Sequence, residues 1–219
     1  MAQAKKAIAK TSGKNNSRNN ASRAAVFGSQ VHAETQLKAL AAVRNLTEVR
    51  VFSPNATRRA AFAEKLGREL QIAVLPASSA DQALAMADVV ITATNSTTPV
   101  FDGRLLREGT HITSIANGDK TRIRQEIDEL TLRRAAPVFI TSKTTVCTNE
   151  SDIFRGVRDG VISWQQVHEI SDLLLGKVWG RTDERQITLF KLQGTGIMDV
   201  AIGRCAYEKI KNGDLAQRL

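Results

Sequence analysis

A chain of 219 residues with 42% hydrophobic and 24% charged residues has the make-up of a globular protein of one large or two small domains. It holds no apolar run near the roughly 18 residues of a membrane span and no secretory core segment, so a membrane role is excluded and the cytoplasm is the expected compartment. The net charge of +9 points to nucleic acid only until it is divided along the chain: six of those charges (Lys5, Lys6, Lys10, Lys14, Arg18, Arg23) lie in residues 1–23, which contain no acid.

That segment is poor in large apolar residues and rich in Asn, Ser and Lys. It cannot bury enough surface to offset its ordering entropy, and residues 1–23 are predicted to be a basic disordered leader ahead of a domain at 24–219. The remainder is only mildly basic, so nucleic acid is not the expected partner. Cys147 and Cys205 are too isolated for a disulfide framework or a zinc site and are read as reduced thiols.

Ala24–Phe27 is an apolar run that ends on Gly28, and an amphipathic segment follows over Val31–Val43 with Val31, Leu37, Leu40 and Ala41 near one face. A strand that ends in a glycine turn leaves the first N–H groups of the next helix aimed outward, with the positive end of the helix dipole behind them. That arrangement suits a phosphate. Gly28-Ser29-Gln30-Val31-His32-Ala33 has the spacing of the dinucleotide fingerprint G-x-G-x-x-G/A, with Gln30 in place of the middle glycine. A side chain there takes up space that a pyrophosphate uses, so weakened dinucleotide binding is predicted; the other reading is an ordinary tight turn between strand and helix.

Val49–Ser53 is the next strand, and right-handed crossover places it parallel to the first. Thr57–Leu70 is predicted as a helix and Ile72–Leu75 as a third strand, then a helix capped by Ser79. Asp88–Thr92 is almost continuously apolar, as expected of a central strand covered on both faces. It runs into Ala93-Thr94-Asn95-Ser96, small polar residues at a strand's carboxyl end, where a doubly wound sheet keeps its ligand. His111–Ile115 is a fifth strand, Arg124–Arg134 a helix, Val138–Thr141 a sixth strand, Ser163–Leu175 a helix, Ile187–Leu192 a strand and Gly196–Lys211 a helix. The order predicts an α/β fold, a Rossmann-type doubly wound open parallel sheet.

At this point several stretches, in order, resemble the nucleotide-binding half of the ornithine cyclodeaminase and mu-crystallin family. They are HAETQLKALAAV after the glycine turn, ADVVITATNSTTPVFDGRLLREGTHI, EIDELTLRRA, the acidic NESD and GRTDERQITLFKLQGTGIMDVA. The resemblance runs from Arg23 to about Asp214 and implies a Rossmann domain using NADP or NAD to oxidise or reduce a carbon bearing an amino or imino group. It also implies that the substrate and dimerisation domain, which members carry ahead of the glycine turn with basic groups for the substrate carboxylate, is missing here.

Carried over, the resemblance puts Gly28, Ser29, Gln30 and Val31 at the pyrophosphate and Ser53, Asn55 and Arg58 at the adenosine ribose. Thr92, Ala93, Thr94 and Asn95 would pass beneath the cofactor, and Ala116 and Asn117 would approach the nicotinamide. The catalytic carboxylate would be Asp119, although an aspartate after glycine is also ordinary turn chemistry and its gap to Glu126 is longer than the family's. Ser53 offers no charge to repel a 2′-phosphate and Arg58 and Arg59 follow it, so NADP is favoured over NAD; the other reading makes both arginines a solvated face.

Gly194-Thr195-Gly196 resembles the family's glycine loop near the nicotinamide, yet glycines before a helix also serve turns. His32, His111 and His168 have no Cys or carboxylate spacing around them, so no metal site is expected, and Trp164 and Trp179 are read as core and lid packing. The functional expectation is a cofactor-dependent oxidoreductase or cyclodeaminase-like protein acting on a small amino or imino acid, forming a homo-oligomer or needing a partner chain. Its rival is a dinucleotide-binding remnant without turnover.

Overall fold

The computed structural model describes residues 17–116, 118, 123–148 and 151–212. Eight parallel strands form one sheet: β1 (Arg23–Phe27), β2 (Glu48–Phe52), β3 (Ala73–Pro76), β4 (Val89–Thr92), β5 (His111–Ser114), β6 (Ala135–Ile140), β7 (Val167–Glu169) and β8 (Ile187–Lys191). Their order across the sheet is β3-β2-β1-β4-β5-β8-β6-β7. The order reverses between β1 and β4, which pair in register from Ala24↔Val89 to Phe27↔Thr92, and a doubly wound sheet opens its ligand crevice outside the carboxyl ends at such a reversal.

Helices cover both faces, and the two-residue period of the strands decides which side chains each receives. Ala24 and Val26 of β1, with Val89 and Ile91 of β4, join Leu37 and Leu40 of α1 (Val31–Ala41) and Phe62 and Leu66 of α2 (Ala56–Leu70). Ala25 and Phe27 point the other way. With Val90 they pack on Ala83 and Leu84 of α3 (Ala80–Leu84), Leu132 of α4 (Glu129–Arg134), Val146 of α5 (Lys143–Thr148) and Ile153 of α6 (Asp152–Arg158). Ile170 of α7 (Ile170–Leu174) and Met198 of α8 (Gly196–Lys211) return to the first face.

Three sequence expectations need correction. Residues 17–23 are not a free leader: Ser17 is buried, Arg44 donates to its hydroxyl at 3.0 Å, Arg18 pairs with Asp88 at 2.5 Å, and Arg23 begins β1. The helix expected over Arg124–Arg134 starts only at Glu129, where the Asp128 carboxylate caps it by accepting the Thr131 N–H at 2.8 Å. Residues 124–126 are instead drawn along the β4 loop, Gln125 donating its N–H to Ser96 at 3.0 Å. Ser163–Leu175, expected as one helix, is a 3-10 turn (Trp164–Gln166), strand β7 and short α7, because Val167 and Glu169 pair with Val138 and Ile140 at the sheet edge.

Candidate functional site

The turn after β1 closes against β4. Gly28 has φ +113°, and a Cβ on it would stand 2.4 Å from the Ala93 carbonyl oxygen, so no other residue fits without moving the β4 backbone. The Gly28 N–H is held by the Phe52 carbonyl at 2.9 Å and the Ala93 N–H by the Phe27 carbonyl at 2.8 Å. Ala33 lies 3.7 Å from the same Cβ position, which explains the small residue closing the fingerprint. Gln30 is the residue before α1; it is exposed and its side chain makes no cap to the helix, whose first turn carries His32 at the edge of the crevice.

Ser29 and Ser53 meet with their hydroxyl oxygens 3.0 Å apart, which joins the β1 turn to the end of β2. The Asn55 side chain accepts the Arg58 N–H at 2.8 Å and so is committed to capping α2. Arg58 is exposed, whereas Arg59 is not the solvated group the alternative reading made it: its guanidinium donates to the Ser53 carbonyl and lies 5.4 Å from the centre of the Phe52 ring. Val31, expected on the packed face of α1, is 67% exposed and faces outward.

Across the switch point, Ala93, Thr94, Asn95, Ile115, Ala116, His32 and Arg124 line a cavity of about 190 Å³. The structure thus brings Ala93, Thr94, Asn95 and Ala116 together beside the glycine turn. Thr92 is different: it is fully buried and its hydroxyl donates to Glu126 Oε2 at 2.8 Å, so it supports the crevice from below. Asn117 and Asp119 lie outside the described residues. A larger hollow of about 510 Å³ along Val157–Gln166 lies ahead of β7, at the opposite end of the sheet, and has no titratable lining residue. Trp164 lines that hollow and Trp179 is 85% exposed, so Trp179 packs in neither core nor lid.

Beneath the crevice sits a buried charge cluster that the sequence reading overlooked. Glu126 Oε2 accepts the Ser114 hydroxyl at 2.8 Å and the N–H groups of Ile115 and Ala116 at 3.2 and 2.9 Å; Oε1 accepts the Thr94 N–H and hydroxyl at 2.6 and 2.9 Å. Lys191 Nζ donates to Ser114 and to Asp152, each at 2.8 Å, and lies 3.9 Å from Glu126. Arg155 donates to the other Asp152 oxygen at 3.0 Å. Burial pushes the Glu126 carboxyl up, but Lys191 and the N–H and hydroxyl donors outweigh it and hold the group below the usual carboxylate range. The available signal was Lys191 itself: a lone cation inside the apolar run Ile187–Leu192 must find a buried partner.

The model of the ornithine cyclodeaminase/mu-crystallin family matches residues 4–214. The chain belongs to that family. Among similar curated proteins, a delta(1)-pyrroline-2-carboxylate reductase of Bacillus cereus is 27% identical over 203 residues, which are 92% of this chain and 62% of that protein. An alanine dehydrogenase of Archaeoglobus fulgidus is 29% identical over 207 residues, 92% of this chain and 61% of its own. The structure of the Thermococcus litoralis delta(1)-pyrroline-2-carboxylate reductase, in complex with NADH and L-proline, superposes with a TM-score of 0.90 at 32% identity, covering 97% of this chain and 65% of that one. The chain therefore spans about three fifths of the length of the curated relatives it matches.

Proposed function

We propose that this chain binds a nicotinamide dinucleotide across the β1/β4 crevice and supplies the cofactor-binding part of an oxidoreductase acting on a small amino or imino acid. The observation that carries the reading is the β1 turn: a positive-φ glycine whose Cβ would stand 2.4 Å from the Ala93 carbonyl oxygen, followed by a helix to which its N-cap residue Gln30 gives no side-chain cap. Family membership and the NADH-bound relative support it. Bound there, the cofactor supplies hydride exchange with the carbon of a C–N bond. The chain's own residues hold it: the α1 N-terminus and Ser29 at the pyrophosphate, Ser53 with Arg58 and Arg59 at the adenosine ribose, and the Ala93–Asn95 and Ala116 backbone beneath the nicotinamide half.

Ser53 leaves no carboxylate to repel a 2′-phosphate, and an exposed Arg58 follows in the first turn of α2, which supports NADP over NAD. Fluorescence titration should show NADPH binding more tightly than NADH, with a ratio that shrinks as salt rises because exposed charge pairs are screened. The Arg58→Ala, Arg59→Ala double variant should lose that preference; an unchanged ratio removes the NADP assignment, and no binding of either nucleotide removes the reading itself.

Steady NADPH oxidation with a cyclic imino acid would support the oxidoreductase reading; tight nucleotide binding with no oxidation would limit it to cofactor binding.

A further inference from the structure

The buried cluster under the crevice does more than fill the core. A buried ion pair is a poor source of stability, since desolvation offsets most of its attraction and an apolar group of similar volume often serves as well. What distinguishes Glu126 is where its donors come from. Thr92 and Thr94 belong to the carboxyl end of β4, and Ser114, Ile115 and Ala116 to the carboxyl end of β5. One carboxylate thus gathers both strand ends at the point where Thr94, Ile115 and Ala116 line the cavity.

The carboxylate is itself fixed from behind. Lys191 of β8 reaches it at 3.9 Å and shares the Ser114 hydroxyl with it, while Asp152 at the start of α6 holds Lys191 at 2.8 Å. Arg155 pairs with Asp152 at 3.0 Å and donates to the Arg124 carbonyl at 3.2 Å, so the segment carrying Glu126 is tied to the same helix. The Glu126 carbonyl accepts the Val100 N–H at 3.0 Å, which anchors the far side of the β4 loop.

We propose that Glu126, backed by Lys191 and Asp152, is a positioning residue that sets the shape of the crevice floor under the nicotinamide half of the bound dinucleotide. This rests on the dinucleotide reading above. The two halves of the crevice are built separately. The adenosine half is made by the ends of β1 and β2, where none of the donors to Glu126 lies; the other half is made by the ends of β4 and β5, where all of its donors from the sheet lie. Loss of the clamp should therefore weaken one half of the ligand and spare the other.

The experiment compares NADH with 5′-AMP on the folded wild-type chain and on Glu126→Gln, by fluorescence for NADH and ligand-observed NMR for 5′-AMP, with near-UV circular dichroism to confirm folding. Wild type should bind both. Glu126→Gln should lose about tenfold in NADH affinity, as expected for removing a charged hydrogen-bond acceptor, while 5′-AMP affinity stays within about twofold. Equal losses for the two ligands, or none for either, overturn the proposal.

A wild type that binds 5′-AMP but not NADH overturns it too, whereas one that binds neither overturns the dinucleotide reading and this inference together. Should Glu126→Gln not fold, Ser114→Ala keeps every charge in place and removes the hydroxyl shared by Lys191 and Glu126. It should give the same one-sided loss at about threefold, and a loss that is not one-sided, or no loss, overturns the proposal.

Discussion

Gln30 is the residue at which this crevice departs from the fingerprint it otherwise follows. Its side chain is exposed and contributes no cap to α1, so its removal leaves the helix end no worse satisfied, and glycine is well accepted at that position. Gln30→Gly should tighten dinucleotide binding by about 1–3 kcal/mol through freer approach of the pyrophosphate to the turn. Isothermal titration with NADH and NADPH measures it, and equal affinities in the two proteins would mean that the phosphates do not sit at this turn. Gly28 stands differently: its need follows from contact with the Ala93 carbonyl, a strand that is remote in sequence and adjacent only in the folded sheet.

Among the elements, α8 is the one whose packing does not match its composition. Of its residues only Met198 is buried, while Ile197, Val200, Tyr207 and Ile210 are each at least 65% exposed and share one side of the helix. An exposed apolar stripe of this kind is a candidate association surface. The chain on its own should self-associate through it, giving a mass that rises with concentration in sedimentation equilibrium. Ile197→Glu combined with Val200→Glu should shift that equilibrium to monomer. A clean wild-type monomer at high concentration would count against the stripe as an interface. The other elements follow the ordinary rule that Leu37 and Leu66 illustrate: apolar residues at helical spacing meet apolar strand residues of the matching face.

For the molecule as a whole, acid sensitivity follows from His111 at the start of β5. The imidazole is fully buried between Thr188 and Thr113, at 2.9 and 3.2 Å, and burial, with the charges of Arg181 and Arg44 adding, pushes it down from 6.5 to about 3. A histidine depressed in the folded state is protonated first in the unfolded chain. Its contribution is complete above about pH 6.5 and is lost as the pH falls toward about 3, by at most about 1.4 kcal/mol per unit. Between pH 6.5 and 5 the wild type should lose about 1.6 kcal/mol more than His111→Gln in urea unfolding. Parallel pH profiles for the two proteins would show that His111 takes up its proton without unfolding.

The strands β1 to β5, β6 and β8, the helices α1, α2 and α8, and the glycine turn were legible in the sequence. Each is declared by local chemistry: apolar runs of strand length, helical spacing, and a glycine where a strand meets a helix. The candidate crevice was legible for the same reason, since its Gly28, Ala93–Asn95 and Ala116 sit at strand ends that the pattern marks. Tertiary structure alone decided the insertion of β8 between β5 and β6, the conversion of Val167–Glu169 into an edge strand, and the drawing of residues 124–126 into the β4 loop. It alone also decided the partnership of Glu126, Lys191 and Asp152. Those outcomes depend on which distant backbone or charge satisfies a buried polar group, and a buried charge accepts whichever partner the completed sheet brings within hydrogen-bond reach, information that no window of neighbouring residues contains.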